Sequence, residues 1–260
     1  MMRLQTCILV FILVLSLPVL ATAEKITLVA DDWCPYNCQP QSDTPGFMIE
    51  IAKAILQKPG DEVEYTIMPY EESVEAVRQG KFTAVVGVAR DEAPDLVYPR
   101  EPMGETNEMF FTKKDFSWKY TDVASLEKVR VGIIEGYSYG PALDDYFEEN
   151  IDNPKVVMAG GDTPLGDNIK RLNAGEIDVL LENPYVFHYY FASKGQKDQL
   201  AEYAEIQAPL QPDYLYLAFS PKLPQSAKYA EAVTAGMAEL RQNGKLSDIL
   251  TKYGVSDWMR

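Results

Sequence analysis

Residues 136–140, Gly-Tyr-Ser-Tyr-Gly, have the spacing G-x-S-x-G, which places a nucleophilic serine on a tight turn between a strand and a helix. Such a serine needs a histidine as general base and an acid that orients the histidine. His188 is the only histidine, and Asp178 and Glu182 are the acids just before it. However, His188 lies in an aromatic segment that predicts a packed helix, and no HGGG-type oxyanion loop is visible. Serine hydrolysis therefore remains an alternative that the sequence does not favour.

The amino terminus has the pattern of a secretory signal. A short positive start, residues 1–3, precedes the apolar residues 7–20, and Ala-Thr-Ala at 21–23 fits a cleavage site for signal peptidase. The apolar run is shorter than the roughly 20 residues that a membrane span needs, although a retained anchor is the alternative. We expect cleavage after Ala23. No cysteine directly follows that site to accept a lipid, so we expect a soluble periplasmic protein.

Cys34 and Cys38 are the cysteines that remain after this cleavage. Export would place them in an oxidising compartment, where disulfides persist. Pro and Asn between them can turn the chain, so a bridge that pins this loop is feasible. A structural zinc site is the alternative, but His188 is far away in sequence. We expect a disulfide, no metal site and no cofactor.

The formal net charge of the whole chain is −15, with acidic residues spread along its length. The predicted signal contains one charged residue, Arg3, so its removal makes the charge more negative. A surface of this sign repels nucleic acids and anionic membranes, which excludes both as partners.

The remaining chain alternates short β-branched runs with stretches of helical periodicity. This order is typical of an α/β protein with largely parallel sheets. Strands are predicted at 26–30, 63–68, 83–88 and 214–220, and helices at 47–56, 70–79, 224–243 and 245–253. In the first helix, Phe47, Ile51, Ala54 and Ile55 have the spacing of core residues.

Two parts of the chain repeat one another. Residues 127–133 resemble residues 24–30 in the spacing of their apolar positions. Residues 169–179 likewise match residues 74–84, and in both a helix ends at a glycine shortly before a strand begins. The repeat predicts two βαβ-type lobes with a cleft between them.

The predicted organisation is a signal at 1–23, a first lobe at 24–111, a second lobe at 112–211 and a return segment at 212–260 that completes the first lobe. The return segment is too short to form its own core, so we expect it to pack on the first lobe. Two chain crossings, near residues 112 and 212, would then form a hinge.

The chain resembles the periplasmic solute-binding proteins of family 3, the polar amino-acid receptors of ABC transporters, which have the type II periplasmic-binding fold. The motifs that carry the resemblance span the predicted mature chain: Trp33-x-Pro35-Tyr36, residues 45–52 (PGFMIEIA), 77–86 (VRQGKFTAVV), 131–138 (VGIIEGYS) and 244–253 (GKLSDILTKY).

The resemblance implies particular ligand contacts in the cleft. On the first lobe, the aromatic positions that match are Trp33, Tyr36 and Tyr70. On the second lobe, the match falls on a strand-to-helix turn, residues 137–139, whose backbone N–H groups and hydroxyl would suit an anionic group. The binding residues expected there are Tyr137, Ser138 and Tyr139.

Two positions depart from the pattern of the family. Glu92 stands where an arginine usually pairs the α-carboxylate of an amino acid, and Arg90, two residues earlier, is either its replacement or an exposed charge. Asn183, with Glu182 beside it, stands where an aspartate usually holds the α-ammonium. An amide does not supply the charge that offsets desolvation of an ammonium. We therefore expect a small polar or zwitterionic solute and name no standard amino acid.

The resemblance implies a monomer that captures a solute and delivers it to an ABC-type permease, without chemistry on the solute and without stable membrane insertion. One alternative is a receptor-fold enzyme such as a cyclohexadienyl dehydratase-like lyase, with Glu92 and Glu182 as paired acids. A second alternative is a sensor domain that acts on a membrane kinase in trans.

Overall fold

The computed structural model describes residues 25–60, 62–161, 163–207 and 212–259. The predicted signal segment and its cleavage point after Ala23 lie outside the described residues. Within the described ranges, no helix combines the length and the apolar character needed to cross a membrane.

Ten strands and seven helices, with two short 3₁₀ helices at Val123–Lys128 and Lys197–Glu202, make up the described chain. In chain order they are β1 (Lys25–Ala30), α1 (Phe47–Leu56), β2 (Glu62–Ile67), α2 (Tyr70–Arg78), β3 (Ala84–Val88), β4 (Gly104–Thr106), β5 (Met109–Lys113), β6 (Val131–Ile134), α3 (Pro141–Glu149), β7 (Val156–Ala159), α4 (Pro164–Ala174), β8 (Val179–Glu182), α5 (Pro184–Ser193), β9 (Tyr203–Gln207), β10 (Asp213–Phe219), α6 (Ser226–Gln242) and α7 (Lys245–Tyr253).

The strands form two five-stranded mixed sheets, and helices flank both. The first sheet has the order β2-β1-β3-β10-β4, and the second has the order β7-β6-β8-β5-β9. In the first sheet β1 is parallel to β2 and β3, and in the second sheet β6 is parallel to β7 and β8. The two units thus repeat one βαβ arrangement, and the predicted two-lobed α/β fold is confirmed. The sheets are mixed rather than largely parallel, because β10 pairs antiparallel with β3 and β4, and β5 pairs antiparallel with β8 and β9.

The chain crosses between the sheets twice. The first crossing is the short connection Asn107–Glu108 between β4 and β5, and the second lies between β9 and β10. The predicted boundary between residues 111 and 112 falls within β5, because this strand pairs with β8 and β9 along its length. On the return, β10 pairs with β3 and β4, and α6 and α7 pack on α1 of the first lobe.

Each lobe has its own apolar core, and the burial of α1 follows its helical periodicity with one exception. Phe47 and Ile51 are completely buried, while Ile55 is half-buried and packs against Gly236 of α6. Ala54 is exposed, so its prediction as a core residue was wrong. The buried face is centred between Met48 and Ala52, and Ala54 lies outside this face.

Gly46 precedes α1 and fixes the loop that leads into it. Its φ is +107°, and a Cβ atom there would lie 2.3 Å from the carbonyl oxygen of Tyr36. Gly46→Ala is therefore expected to lower the free energy of unfolding by roughly 3 kcal/mol or more, measured by chemical denaturation. Gly60→Ala is the control, because Gly60 also has a positive φ but its Cβ would meet no described atom within 4 Å. It should cost about 1–2 kcal/mol; equal losses would contradict the account of Gly46.

Candidate functional site

A cavity lies between the two lobes, beyond the carboxyl ends of their parallel strands. The space inside it that the centre of a water-sized molecule can reach is about 70 Å³, and the cavity is partly open to solvent. Clefts at this end of an α/β sheet are where such folds bind ligands. The residues that line it are Asp31, Trp33, Tyr70, Gly87, Ala89, Glu92, Thr106, Glu108, Tyr137, Ser138, Tyr139, Glu182, Asp213 and Leu215.

Aromatic rings from both lobes face this cavity. Trp33 comes from the loop after β1, Tyr70 begins α2, and Tyr137 and Tyr139 follow β6. The Trp33 ring stacks on Tyr36 at 4.1 Å between centroids, and its edge meets Tyr137 at 6.4 Å. The structure therefore brings together most of the aromatic residues that the sequence predicted.

The loop that carries Trp33 is held by several bonds. The structure joins Cys34 to Cys38, whose Cα atoms are 4.8 Å apart. The backbone N–H of Trp33 donates to the carbonyl of Asn37 at 2.8 Å, and the Asn37 amide donates to the carbonyl of Asp31 at 2.8 Å. These bonds fix the position of the indole at the cavity wall.

Tyr36 and Asn183, both predicted to contact ligand, are buried and do not belong to the described lining of the cavity. The Tyr36 hydroxyl donates to the carbonyl of Glu105 at 2.7 Å and accepts from Asn183 Nδ2 at 3.0 Å. The Asn183 Oδ1 atom accepts from the backbone N–H groups of Tyr185 and Val186, so Asn183 caps α5. This pair connects the first lobe to the second.

Tyr36→Phe is expected to lower the free energy of unfolding by about 1–2 kcal/mol, because it leaves a buried carbonyl and a buried amide each with one bond fewer. Tyr65→Phe is the matched control. The buried Tyr65 hydroxyl makes no hydrogen bond within the described chain, so its removal should be neutral or stabilising. Denaturant unfolding of both variants checks the prediction, and equal losses would contradict it.

Arg90 does not line the cavity. Its guanidinium donates to the carbonyl of Pro99 at 2.6 Å and lies over the Tyr216 ring, 4.5 Å from the centroid. Glu92 lines the cavity instead, and it accepts hydrogen bonds from the Tyr70 hydroxyl and from the backbone N–H of Ala89. The position that carries an arginine in the resembling receptors is therefore acidic here.

The G-x-S-x-G segment does not form a catalytic triad. Ser138 lines the cavity, but its hydroxyl donates to Asp144 Oδ2 at 2.6 Å. His188 is half-buried on α5 and pairs with Glu205, 2.6 Å away. The neighbouring Tyr139 hydroxyl accepts from the backbone N–H of Ile134 at 2.7 Å, which holds the turn after β6. Serine and histidine thus have different carboxylate partners.

Five carboxyl groups line the cavity, and sequence reasoning missed three of them as site residues: Asp31, Glu108 and Asp213. Asp31 directly follows β1 at the carboxyl end of a predicted strand, so its position was a usable signal. Glu108 lies at the crossing between β4 and β5, which the sequence did not resolve into two strands.

Glu182 has the most buried carboxyl group of the cavity, with 2% of the residue exposed. Its Oε1 atom accepts from the backbone N–H of Asn183 at 2.8 Å, while Oε2 has no hydrogen-bond partner within the described chain. The indole N–H of Trp33 is near this carboxyl but does not complete a hydrogen bond to it.

Burial raises the pKa values of these acids. It raises the pKa of Asp31 to about 6, against the hydrogen bond from Tyr137, and it raises the pKa of Glu108 to about 7. The pKa of Glu182 is well above its ordinary value because of burial and the charge of Glu108. The pKa of Glu92 is also raised, chiefly by burial. No lysine or arginine stands among the described residues of the lining.

Solved structures with the same fold are binding proteins for the most part. One, from work on glutathione import via GshT and the cystine ABC importer TcyBC of Streptococcus mutans, has a TM-score of 0.72 and 18% identity, covering 90% of this chain and 97% of that chain. The substrate-binding protein AbpA of an amino-acid ABC transporter from Streptococcus pneumoniae, bound to L-arginine, has a TM-score of 0.66 and 22% identity, covering 90% and 97%.

A third similar structure is the ancestral amino-acid-binding protein AncCDT-1, a precursor of cyclohexadienyl dehydratase, with a TM-score of 0.65, 17% identity and coverage of 88% and 94%. At these identities the likeness shows the fold alone. A comparison with curated proteins found no match.

The family is shown by a match along the chain. Residues 26–256 fit the model of the bacterial extracellular solute-binding proteins, family 3. This range includes both lobes and the return segment, together with every residue of the cavity lining. The chain therefore belongs to the family 3 bacterial extracellular solute-binding proteins.

Proposed function

We propose that this protein is a monomeric periplasmic receptor that captures a small polar solute between its lobes and delivers it, unaltered, to an ABC-type permease. The observation that carries the proposal is the inter-lobe cavity at the carboxyl ends of both parallel strand sets. One surface of the solute would contact Trp33 and Tyr70 of the first lobe. The other would contact Tyr137, Ser138 and Tyr139 of the second lobe.

Contacts across the cavity support a closing movement. The Tyr137 hydroxyl of the second lobe donates to Asp31 Oδ2 of the first lobe at 3.0 Å, and its ring meets the edge of Trp33. These contacts are available only when the lobes are together. A solute that touches both lobes adds contacts to the closed form alone, and this difference drives closure.

The two crossings between the sheets would serve as the hinge. Only Asn107 and Glu108 separate β4 from β5, so a change of backbone angles at these residues would reorient one lobe relative to the other. Glu108 also lines the cavity, which would couple the hinge to the presence of a solute.

The permease partner and the transport role are inferred from what the similar structures are named for. One Streptococcus structure comes from work on import via GshT and the cystine ABC importer TcyBC, and the other is the substrate-binding protein of an amino-acid ABC transporter bound to L-arginine. We propose the same kind of role for this chain, which is the capture of a solute for an ABC transporter. We do not propose an amino acid as its solute, because Glu92 and Asn183 depart from the pattern of the amino-acid receptors.

A thermal-shift screen of metabolites tests the proposal, since a compound that binds only the folded state raises the melting temperature by mass action. The library would contain amino acids, amines, short peptides and sugars. A compound that stabilises the native protein but not the Trp33→Ala variant identifies a solute of this cavity. A library in which no compound shifts the melting temperature would count against a receptor.

One observation favours a second candidate function, a dehydratase-like lyase. Glu92 and Glu182 line the same cavity, and burial raises the pKa of each, as a general acid requires. Prephenate, the substrate of a cyclohexadienyl dehydratase, is a dicarboxylate, which a cavity lined by acids would repel. Incubation of the purified protein with prephenate separates the two functions, because a receptor leaves it unchanged and a lyase consumes it.

A further inference from the structure

The cavity combines carboxyl groups and aromatic faces with no positively charged side chain in its described lining. We propose that its solute is an organic cation, with N–H donors on an ammonium or guanidinium group and no carboxylate. This inference rests on the proposed function, since it identifies the class of molecule that the receptor would capture. The proposed solute differs from an amino acid because it lacks the carboxylate, which is one of the two charged groups of an amino acid.

The first argument is the free acceptor at the base of the cavity. Glu182 is 98% buried, and its Oε2 atom has no partner within the described chain. Ionisation of this buried carboxyl group is costly while the atom has no partner, so a cationic donor that reaches the atom favours the charged form and is itself bound. An ammonium or guanidinium N–H supplies both the donor and the opposite charge. A quaternary ammonium has no N–H and would leave the atom unsatisfied.

The second argument is the distribution of the other acids. Asp31 and Glu108 come from the ends of different strands, and Glu92 lies on the wall beside Tyr70. With Glu182, these acids reach the cavity from both lobes and from the connection between them. A cation within the cavity would be attracted from several directions, whereas an anion would be repelled from each.

The third argument is the aromatic wall. Trp33, Tyr70 and Tyr137 line the same space as the acids. The face of an aromatic ring attracts a cation, most strongly when the cation is desolvated. Rings and carboxylates together can replace the hydration shell of an ammonium or guanidinium group.

The fourth argument is the lack of a counter-charge for a carboxylate. Arg90 donates to Pro99 and stacks on Tyr216, outside the lining. The carboxylate of an amino acid would instead lie next to Glu92, which already accepts a hydrogen bond from the Tyr70 hydroxyl. Burial of an unpaired carboxylate next to another acid is strongly unfavourable.

A bare metal ion does not fit these observations as well. Within the described ranges, no group of three or more acids, histidines or cysteines is arranged to hold a metal ion. The aromatic rings in the cavity lining are typical of sites for organic ligands rather than of sites for bare ions.

The test uses pairs of compounds that differ only in the carboxylate: agmatine against arginine, and cadaverine against lysine. Titration calorimetry at pH 8 and low salt is expected to show that the amine of a pair binds at least about 100-fold more tightly than its amino acid. Choline, which has no N–H on its cationic group, should bind more weakly than either amine.

Glu182→Gln tests the role of the free acceptor, because it keeps the shape and removes the charge. It is expected to weaken binding of the amine by at least about 10-fold. The control is Glu149→Gln, which makes the same change at an exposed position of α3 and should leave affinity unchanged. Glu182→Gln should not unfold the protein, since it removes a buried charge, and its melting temperature at pH 8 verifies this.

The outcomes separate the ligand class from the proposed function. Arginine or lysine bound as tightly as its amine would overturn the inference of a cation without a carboxylate, while the receptor function would stand. If only neutral or anionic compounds bind in the metabolite screen, the inference of a cationic solute is likewise overturned and the receptor function stands. If no compound of the pairs or of the screen binds, both the ligand class and the proposed function fail.

Discussion

Lowering the pH from 8 to about 5.5 is expected to raise the melting temperature of the unliganded protein. Burial raises the pKa of Asp31 to about 6 and the pKa of Glu108 to about 7, and it holds the pKa of Glu182 well above the ordinary range. The unfolded chain has ordinary carboxyl pKa values near 4. Between about pH 4 and pH 7 the folded state therefore binds more protons than the unfolded state, and stability falls as the pH rises.

The groups around each acid determine the size of this effect. Glu108 accepts from the Thr106 hydroxyl, which opposes the rise of its pKa, and the charge of Asp213 adds to it. Glu182 is faced by Glu108 and Asp31. Because these acids interact, we expect their combined contribution to be roughly 2–4 kcal/mol across this range rather than the sum of independent groups.

Glu108→Gln and Glu182→Gln should each stabilise the unliganded protein at pH 8 and flatten the pH dependence. Acids outside the cavity, such as Asp95, Asp167 and Asp178, have pKa values lowered by hydrogen-bonded ion pairs, so their contributions are lost only below about pH 4. Thermal unfolding at intervals between pH 5 and pH 8 measures the slope. A stability that rises with pH over this range in the native protein would contradict the assignment of the buried acids.

Replacing Trp33 by alanine is expected to weaken capture of the tightest-binding compound by roughly 100-fold, about 2–3 kcal/mol. The indole lines the cavity, stacks on Tyr36 and meets Tyr137 across the lobes. The substitution thus removes a binding face for the solute and a contact that favours closure. Titration calorimetry with the native protein and the variant measures the loss.

Trp118→Ala is the control for the loss of an indole. Trp118 packs on Phe110 and Tyr120 in the second lobe and donates its N–H to the carbonyl of Ser125. It should lower stability while leaving the affinity of the folded protein unchanged. Equal losses of affinity in the two variants, or an unchanged affinity in Trp33→Ala, would remove Trp33 from the site.

Local sequence patterns predicted much of the fold because they reflect burial on one face of an element. The limits of α1 and α7 match the predicted ones, since glycines with positive φ, Gly46 and Gly244, precede both helices. The two short strands β4 and β5, which follow one another but join different sheets, were not predicted from the sequence. No local pattern in the sequence encodes which sheet each strand joins.

The site was predictable in position but less so in detail. Trp33, Tyr70 and residues 137–139 line the cavity as expected, because they follow strands or begin helices at one edge of each sheet. The prediction for Arg90 depended on the direction of its long side chain. The guanidinium lies over the ring of Tyr216, which belongs to a strand distant in sequence. The acidic character of the cavity likewise arises from residues that meet only in the folded chain.

Small-angle X-ray scattering with and without the tightest-binding compound tests the central claim, that two lobes close on a solute between them. We expect the unliganded protein to be more open in solution and its radius of gyration to decrease at saturation. The Trp33→Ala variant should show no such decrease at the same concentration of the compound. Identical scattering profiles of the native protein in the free and saturated states would contradict the account.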